Sequence, residues 1–365
     1  MMVERSLGKG RTGLVVPSRR QVLLGAAAAT SAVALARPSI AQAPAGSEGE
    51  VVFACNGGLT QKAFEEIFIP EFTKSTGIKV TFVAGQPADS LAKVRAQGAA
   101  PQIDVLWLAG GVTYQAIDGG FVQPLDWSLI PNRSEISPSS IVLDAAAPIG
   151  LTVCGLLTNT DVYKAKGWAA PTSWFDMWDP KYRGHVGLYS INLTSSTAML
   201  AKIAQSLTGD FRKLDAAYAK FRELRSNMLG FYPSGGAWET AMQQGDLWIG
   251  MNTSVRAQQM AAAGLPVGFH ELKEGFVGYE AWAGVVKNAR RPRAAHAWVN
   301  YLLSNDFQQR MPETIGYSPV SRNAKIREDL AAYFPAGDKV FIPDWQYLSK
   351  ELPNIVAQWN RQVER

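Results

Sequence analysis

From residue 50 onward the apolar positions change period several times, and each change marks an element. Residues 51–54 form an unbroken apolar run that ends at Asn56-Gly57-Gly58, the pattern of a buried strand followed by a turn. Over 60–76, Phe64, Ile67, Phe68 and Phe72 recur at helical spacing and Gly77 closes the segment; Pro70 is expected to kink or split that helix. Ile78, Val80 and Phe82 then alternate with polar residues, predicting a strand over 78–83. A helix over 89–97, a strand over 103–108 and a helix-like stretch over 113–118 follow, the last ending at Gly119-Gly120. This β-α-β-α-β order predicts an α/β chain: a mostly parallel sheet with helices on both faces.

The middle of the chain has another rhythm. A long apolar stretch over 149–157 precedes Asn159, and a short strand is expected over 185–189. Helical patterns cover 196–207, 213–228 and 238–244, then a strand over 247–251, a helix over 254–263 and a strand over 266–269. Residues 282–286 read as an apolar strand returning toward the first part. A helix over 293–303 and a largely helical tail over 344–362 complete the pattern. Extended segments near 150–158 and 278–286 would then join two α/β lobes. Lobe I is expected over 50–152 plus 282–325. Lobe II is expected over 153–281 plus 326–365, with a C-terminal helical cap. More than one crossing favours hinge bending, with a ligand in the gap.

The first 41 residues read as an export segment. A basic, polar stretch ends in Ser18-Arg19-Arg20, and a largely apolar stretch of 14 residues follows over 22–35, too few to cross a hydrocarbon core, which needs about 20. Ser39-Ile40-Ala41 offers small residues for cleavage near Ala41, which implies a periplasmic mature protein. The arginine pair resembles a twin-arginine export signal, which carries folded proteins; an ordinary secretory signal with two arginines is the alternative. This segment also accounts for the basic balance of the chain. Of 36 Lys/Arg, six lie in residues 1–41, against one of 31 acids, so the remainder holds 30 of each. The mature protein therefore has no global bias toward nucleic acid or anionic lipid. Its two cysteines, Cys55 and Cys154, either pair or stay free; an oxidising compartment permits both.

Several short segments stand out along the chain in a set order. They are Phe72-Thr73-Lys74-Ser75-Thr76-Gly77, Ile103-Asp104-Val105-Leu106, Pro171-Thr172-Ser173-Trp174 and Trp178-Asp179-Pro180-Lys181-Tyr182-Arg183-Gly184. Gln244-Gly245-Asp246-Leu247-Trp248, Ala295-His296-Ala297 and Gly316-Tyr317-Ser318-Pro319 follow. In this order the chain resembles the polyamine (spermidine/putrescine)-type branch of the solute-binding proteins of ABC transporters, over nearly the whole mature length. The resemblance implies the two-lobed type II periplasmic-binding-protein fold with a hinge and an interlobe cleft. It also implies a small-molecule ligand, an ABC permease as partner, a monomer, and no cofactor.

Ligand groups should come from strand ends and helix N-termini. Asn56, Gly57 and Gly58 follow the first strand, and Gly110 and Gly111 follow the third. Their glycines either admit a ligand to backbone N–H groups or make plain turns. Thr194-Ser195-Ser196-Thr197 stands before a helix, where one hydroxyl serves as N-cap and Ser195 or Ser196 is free for a ligand. Arg256 follows Asn252-Thr253-Ser254 in the first turn of a helix, where a cation gains nothing from the helix dipole. It is either a cleft residue that holds a ligand carboxylate or an exposed surface arginine. Tyr279-Glu280-Ala281 matches the segment where polyamine binders carry an aromatic, a spacer and an aspartate. Tyr279 keeps the aromatic; Ala281 replaces the aspartate, and Glu280 falls on the other side of a strand. These departures point toward an ω-amino acid at least as much as a polyamine.

Chemistry of other kinds is not encoded. Gly8-Lys9-Gly10-Arg11-Thr12-Gly13 fits a dinucleotide pattern but follows no strand. His185, His270 and His296 are far apart and lack metal-ligand spacing, and His296 sits in an amphipathic helix as a structural residue. The expected molecule is a binding protein, not an enzyme. The alternative is an exported enzyme on the same fold, with Glu239 or Glu280 as base.

Overall fold

The computed structural model describes residues 49–138, 140, 143–335 and 337–364; the export segment and its glycine pattern lie outside the described residues. Strand β1 (Glu50–Cys55) opens the fold, and helix α1 (59–76) follows it. Pro70 does not break α1. It has no N–H to offer the turn before it, and that turn, Phe64–Phe68, widens to π geometry, a common way to absorb a missing bond. Gly77, with φ of 74°, ends the helix in the left-handed conformation. Next come β2 (Lys79–Ala84), α2 (Pro87–Gln97), β3 (Val105–Ala109) and α3 (Gly111–Asp118). β1 pairs in parallel with both β2 and β3.

The chain then enters the long strand β4 (Ala147–Asn159), followed by α4 (Thr160–Lys166), β5 (Val186–Tyr189), α5 (Thr194–Thr208) and α6 (Leu214–Glu223). β6 (Met228–Tyr232), α7 (Gly235–Gln243), β7 (Ile249–Thr253), α8 (Ser254–Ala262) and β8 (Val267–His270) complete this part. A second long strand, β9 (Phe276–Val285), leads to α9 (Pro292–Leu302), α10 (Asn305–Thr314), β10 (Ser318–Pro319), β11 (Val340–Phe341) and the final helix α11 (Trp345–Gln362). The main sheet order is β2-β1-β3-β9-β4-β7-β5-β6, with β8 and β10 on β4 and β11 on β9.

Several elements depart from the sequence pattern: α4, β10 and β11 were not expected, β9 begins at Phe276 and not at 282, and two further cases have a clear cause. The helix expected through Met228 stops at Glu223, and Met228–Tyr232 becomes β6. The half-buried apolar residues there line up beside β5, so tertiary pairing overrides a helix-compatible composition. The helix α10 had no clear apolar period, because Pro312 lies inside it and its inward face is mixed, with Phe307, Gln308 and Met311 buried.

β4 and β9 lie side by side, antiparallel from Ala147–Ala283 to Cys154–Val277, and both run from one core into another. Val51, Phe53, Trp107, Ile149, Ala281 and Trp298 belong to a core around β1 and β3. Leu156, Leu188, Met251, Val277, Trp345 and Trp359 belong to a second core around β5 and β7. Trp174 is fully buried in the second, and its indole N–H donates to Gly275 O (2.9 Å). His296 is buried as expected; Nδ1 faces Pro292 O at 2.6 Å and Nε2 accepts from the Asp126 amide at 3.0 Å. The first core is pinned by a buried charge cluster: Asp104 accepts from Val52 N (2.8 Å) and pairs with Arg291 (3.2 Å), which also pairs with Glu50 (3.1 Å). Both cysteines are buried and unpaired.

Candidate functional site

The C-terminal ends of β1, β5 and β7 open toward one cleft, with a cavity volume of about 250 Å³. Each strand delivers its cleft-facing residue by ending there. β1 stops at Cys55 and leaves Asn56 and Gly57 at the wall; β5 ends on Tyr189; Asn252 and Thr253 are the last two residues of β7. Tyr279 on β9, Thr152 on β4 and Tyr317 before β10 add their side chains from the middle of the sheet.

Six of the residues singled out in the sequence line this cleft: Asn56, Gly57, Ser195, Asn252, Arg256 and Tyr279. Five others do not. Gly58 precedes α1 with φ of 71° and faces open space. At Gly110, φ is 47°, and a Cβ would meet Thr194 Cγ2 at 2.6 Å and the Trp345 ring at 3.3 Å. Gly111 packs on Ser349 in the same way. These two glycines therefore let α3 approach α5 and α11 instead of admitting a ligand. Ser196 is fully buried and donates to Tyr189 O (2.9 Å). Glu280 lies on the opposite side of β9 from Tyr279 and is absent from the cleft wall, as strand alternation requires. The run Thr194–Thr197 is the first turn of α5 and not a segment before it: Leu193 occupies the cap position, with no side-chain cap. Thr194 and Ser195 line the cleft, and their amides have no intramolecular acceptor among the described residues.

The cleft floor is polar and incompletely satisfied. Asn252 is fully buried; its Oδ1 accepts from Tyr189 Oη (2.9 Å) and Thr253 N (2.8 Å), which leaves Nδ2 without a partner among the described residues. Asn56 Nδ2 donates to Tyr317 Oη (3.2 Å), and its Oδ1 has no partner there. Buried polar atoms left in this state cost stability unless something fills the site. Burial pushes the Tyr189 and Tyr279 phenols up and the Tyr317 phenol up to about 12, so all three are neutral donor–acceptor hydroxyls.

Among the described residues, Arg256 is the one charged residue that lines the cleft, and no carboxylate does. Thr253 caps α8 by accepting from the Arg256 amide (3.2 Å), which places the guanidinium at the cleft. Its Nη1 donates to Gln259 Oε1 (3.3 Å) and lies 3.3 Å from Glu239 Oε1 on α7. Gly235, the first residue of α7, lets the guanidinium lie close: a Cβ there would stand 3.2 Å from Nε. Among the described residues no group of three His, Cys, Asp or Glu is placed to hold a metal ion.

Nothing in the sequence marked Tyr189, Thr152 or Gln259, which also line the cleft. Tyr317 was visible only as part of one of the short segments. A strand-end position was the one available signal, and it holds for Tyr189 but not for Thr152.

The model of the bacterial extracellular solute-binding protein family matches residues 68–335. The spermidine/putrescine-binding periplasmic protein 1 of Haemophilus influenzae is 29% identical over 295 residues, covering 76% of this chain and 79% of its own. The spermidine/putrescine-binding periplasmic protein of Escherichia coli is 27% identical over 288 residues, with 76% and 79% covered. Among solved structures, an ABC transporter substrate-binding protein from Bradyrhizobium japonicum superposes with a TM-score of 0.74 at 20% identity, covering 86% of this chain and 99% of the other.

Proposed function

The chain belongs to the bacterial extracellular solute-binding proteins, and from that premise we propose that it is the periplasmic binding component of an ABC importer. It captures a small amine or amino-carboxylate and hands it to a membrane permease without chemical change. The observation that carries the ligand side is the charge of the cleft: among the described residues Arg256 lines it and no carboxylate does. A guanidinium holds a carboxylate through two charge-assisted bonds, and the free Asn252 Nδ2 and the open α5 amides add donors beside it. An amino-carboxylate supplies the matching acceptor. Its ammonium end would meet the free Asn56 Oδ1 and the faces of Tyr279 and Tyr317, as cations meet aromatic rings.

A polyamine is the second reading, favoured by the names of the two curated relatives. It would bring two or more ammonium groups to a wall that offers no carboxylate.

The molecule is read as an exported monomer whose leader is removed near Ala41. Its lobes are 50–152 plus 282–325 and 153–281 plus 326–365. The two buried cores and the pair of strands that runs between them support that division.

Thermal shift of the protein from Gln42 tests the ligand class against putrescine, spermidine, 4-aminobutyrate, other amino acids and simple carboxylates. A ligand at a hundred times its dissociation constant adds about 2.7 kcal/mol, a shift of several degrees. Amino-carboxylates should raise the midpoint, and Arg256→Ala should weaken them by roughly 10- to 100-fold, as loss of charged hydrogen bonds does. A shift by polyamines that survives Arg256→Ala would establish the second reading. Conversion of a bound ligand to product would overturn the binding role.

A further inference from the structure

Arg256 already has an anion beside it. Glu239 Oε1 stands 3.3 Å from Arg256 Nη1, yet this oxygen is buried and makes no aligned hydrogen bond. Glu239 does not line the cleft. Its side chain and that of Arg256 are each about one-third exposed, at 28% and 34%. The guanidinium thus has a loose ion pair on its inner side, one 3.3 Å hydrogen bond to Gln259, and a face turned to the cleft. A planar, bidentate carboxylate from a ligand would be the better partner.

On the reading of Arg256 as the ligand-carboxylate site, we propose that Glu239 is a built-in competitor for Arg256, and that capture of a carboxylate releases Glu239 to take up a proton from solvent. Glu239 therefore sets the anion affinity of the cleft and makes it depend on pH.

The other titratable groups around Glu239 do not compensate it. α7 packs on β5 and β6, which bring Tyr189 and Tyr232, both phenols pushed up by burial and neutral. Asp246, beyond α7, acts on Tyr232. Arg256 on α8 is the one cation that acts on Glu239. Burial already holds the Glu239 carboxyl above its ordinary range, and Arg256 pulls it back. A ligand carboxylate at Arg256 weakens that pull and adds a like charge, so the bound state raises the carboxyl further. Binding then takes up a proton, and carboxylate affinity rises as pH falls through the window above the ordinary carboxylate range.

Acetate is a probe that needs no knowledge of the natural ligand. The Arg256 Nε–H resonance, assigned by its loss in Arg256→Lys, is followed as acetate is added at constant ionic strength, at about pH 5.5 and about pH 8, because a released Glu239, its carboxyl pushed up by burial, takes its proton more readily toward the lower end. The wild type should bind acetate about tenfold tighter at the lower pH, the size of one neighbouring charge no longer competing. Glu239→Gln should bind it equally at both, at least as tightly as wild type at the lower pH. Glu239→Asp, which keeps the charge, should keep a pH dependence. Equal and pH-independent acetate affinity in wild type and Glu239→Gln would overturn the competition while leaving Arg256 as an anion site. An Arg256 resonance that acetate does not move in either protein would overturn both.

Discussion

Glu280 and Tyr279 are neighbours in sequence, and the pleat of β9 sends them to different surroundings. Tyr279 faces the cleft and meets Trp345 edge-on with ring centroids 6.1 Å apart. The Glu280 carboxyl forms no salt bridge among the described residues, and burial holds it above the usual range. Tyr114 is its electrostatic neighbour: burial first, then Glu280 and Asp344, push the Tyr114 phenol up. The folded-state value of Glu280 lies above the unfolded one, so the fold favours the protonated acid. That stability is fully present below the unfolded value and is lost as pH rises through the folded one. Glu280→Gln should therefore raise the melting temperature near neutral pH and leave it nearly unchanged in acid, where the carboxyl is protonated in both states. Melting curves across pH check this; a loss of stability at neutral pH would show that the carboxylate has a partner in solution.

At the scale of elements, close strand contacts position the cleft. β7 pairs with β5 on one side and β4 on the other, and this puts Asn252 beside Tyr189. Glycine makes the β5–β7 approach possible. A Cβ at Gly250 would collide with the Gly187 carbonyl oxygen, and one at Gly187 would collide with the end of the Leu247 side chain. Backbone cannot turn aside as a leucine methyl can. Gly250→Ala should cost about 1–3 kcal/mol or more, and Gly187→Ala less. Denaturant titration of the two variants checks the order; equal costs would mean that β5 shifts as a unit. Gly250→Ala should also weaken ligand capture, because moving β7 moves Asn252 and the Thr253 cap that sets Arg256.

For the whole molecule, the two long strands β4 and β9 link the core around β1 and β3 to the core around β5 and β7. Gly110 meets Thr194 and Trp345 where α3 approaches α5 and α11. If the cleft closes by bending at β4 and β9, small-angle scattering should show a smaller radius of gyration with a saturating ligand than without one. An unchanged radius with a tight ligand would mean that the hinge does not operate and that the cleft is preformed.

Much of the fold was legible in the sequence, because each element is dictated by a local period. The aromatic spacing of α1, the apolar run of β1 and the alternation in β2 need only neighbours a few residues away. The α/β class and the two crossing segments came from the same local signals. β6 was misread as helix where packing overrides propensity, and α10 went unseen where a proline blurs the period. The site was legible only in part, since a strand end says that a residue can reach a cleft and not that it does. Asn56 and Tyr317 hydrogen-bond across 261 positions, and Gly110 looked as much like a ligand loop as Gly57 did. By itself the sequence determined most of the elements and the family, because periodicity, composition and short segments are local. Only the tertiary structure decided which polar residues share the cleft, that Arg256 faces it with Glu239 behind, and that Glu280 does not. Those outcomes depend on strand register and on which backbones pack closely, and both arise from contacts between residues far apart in the chain.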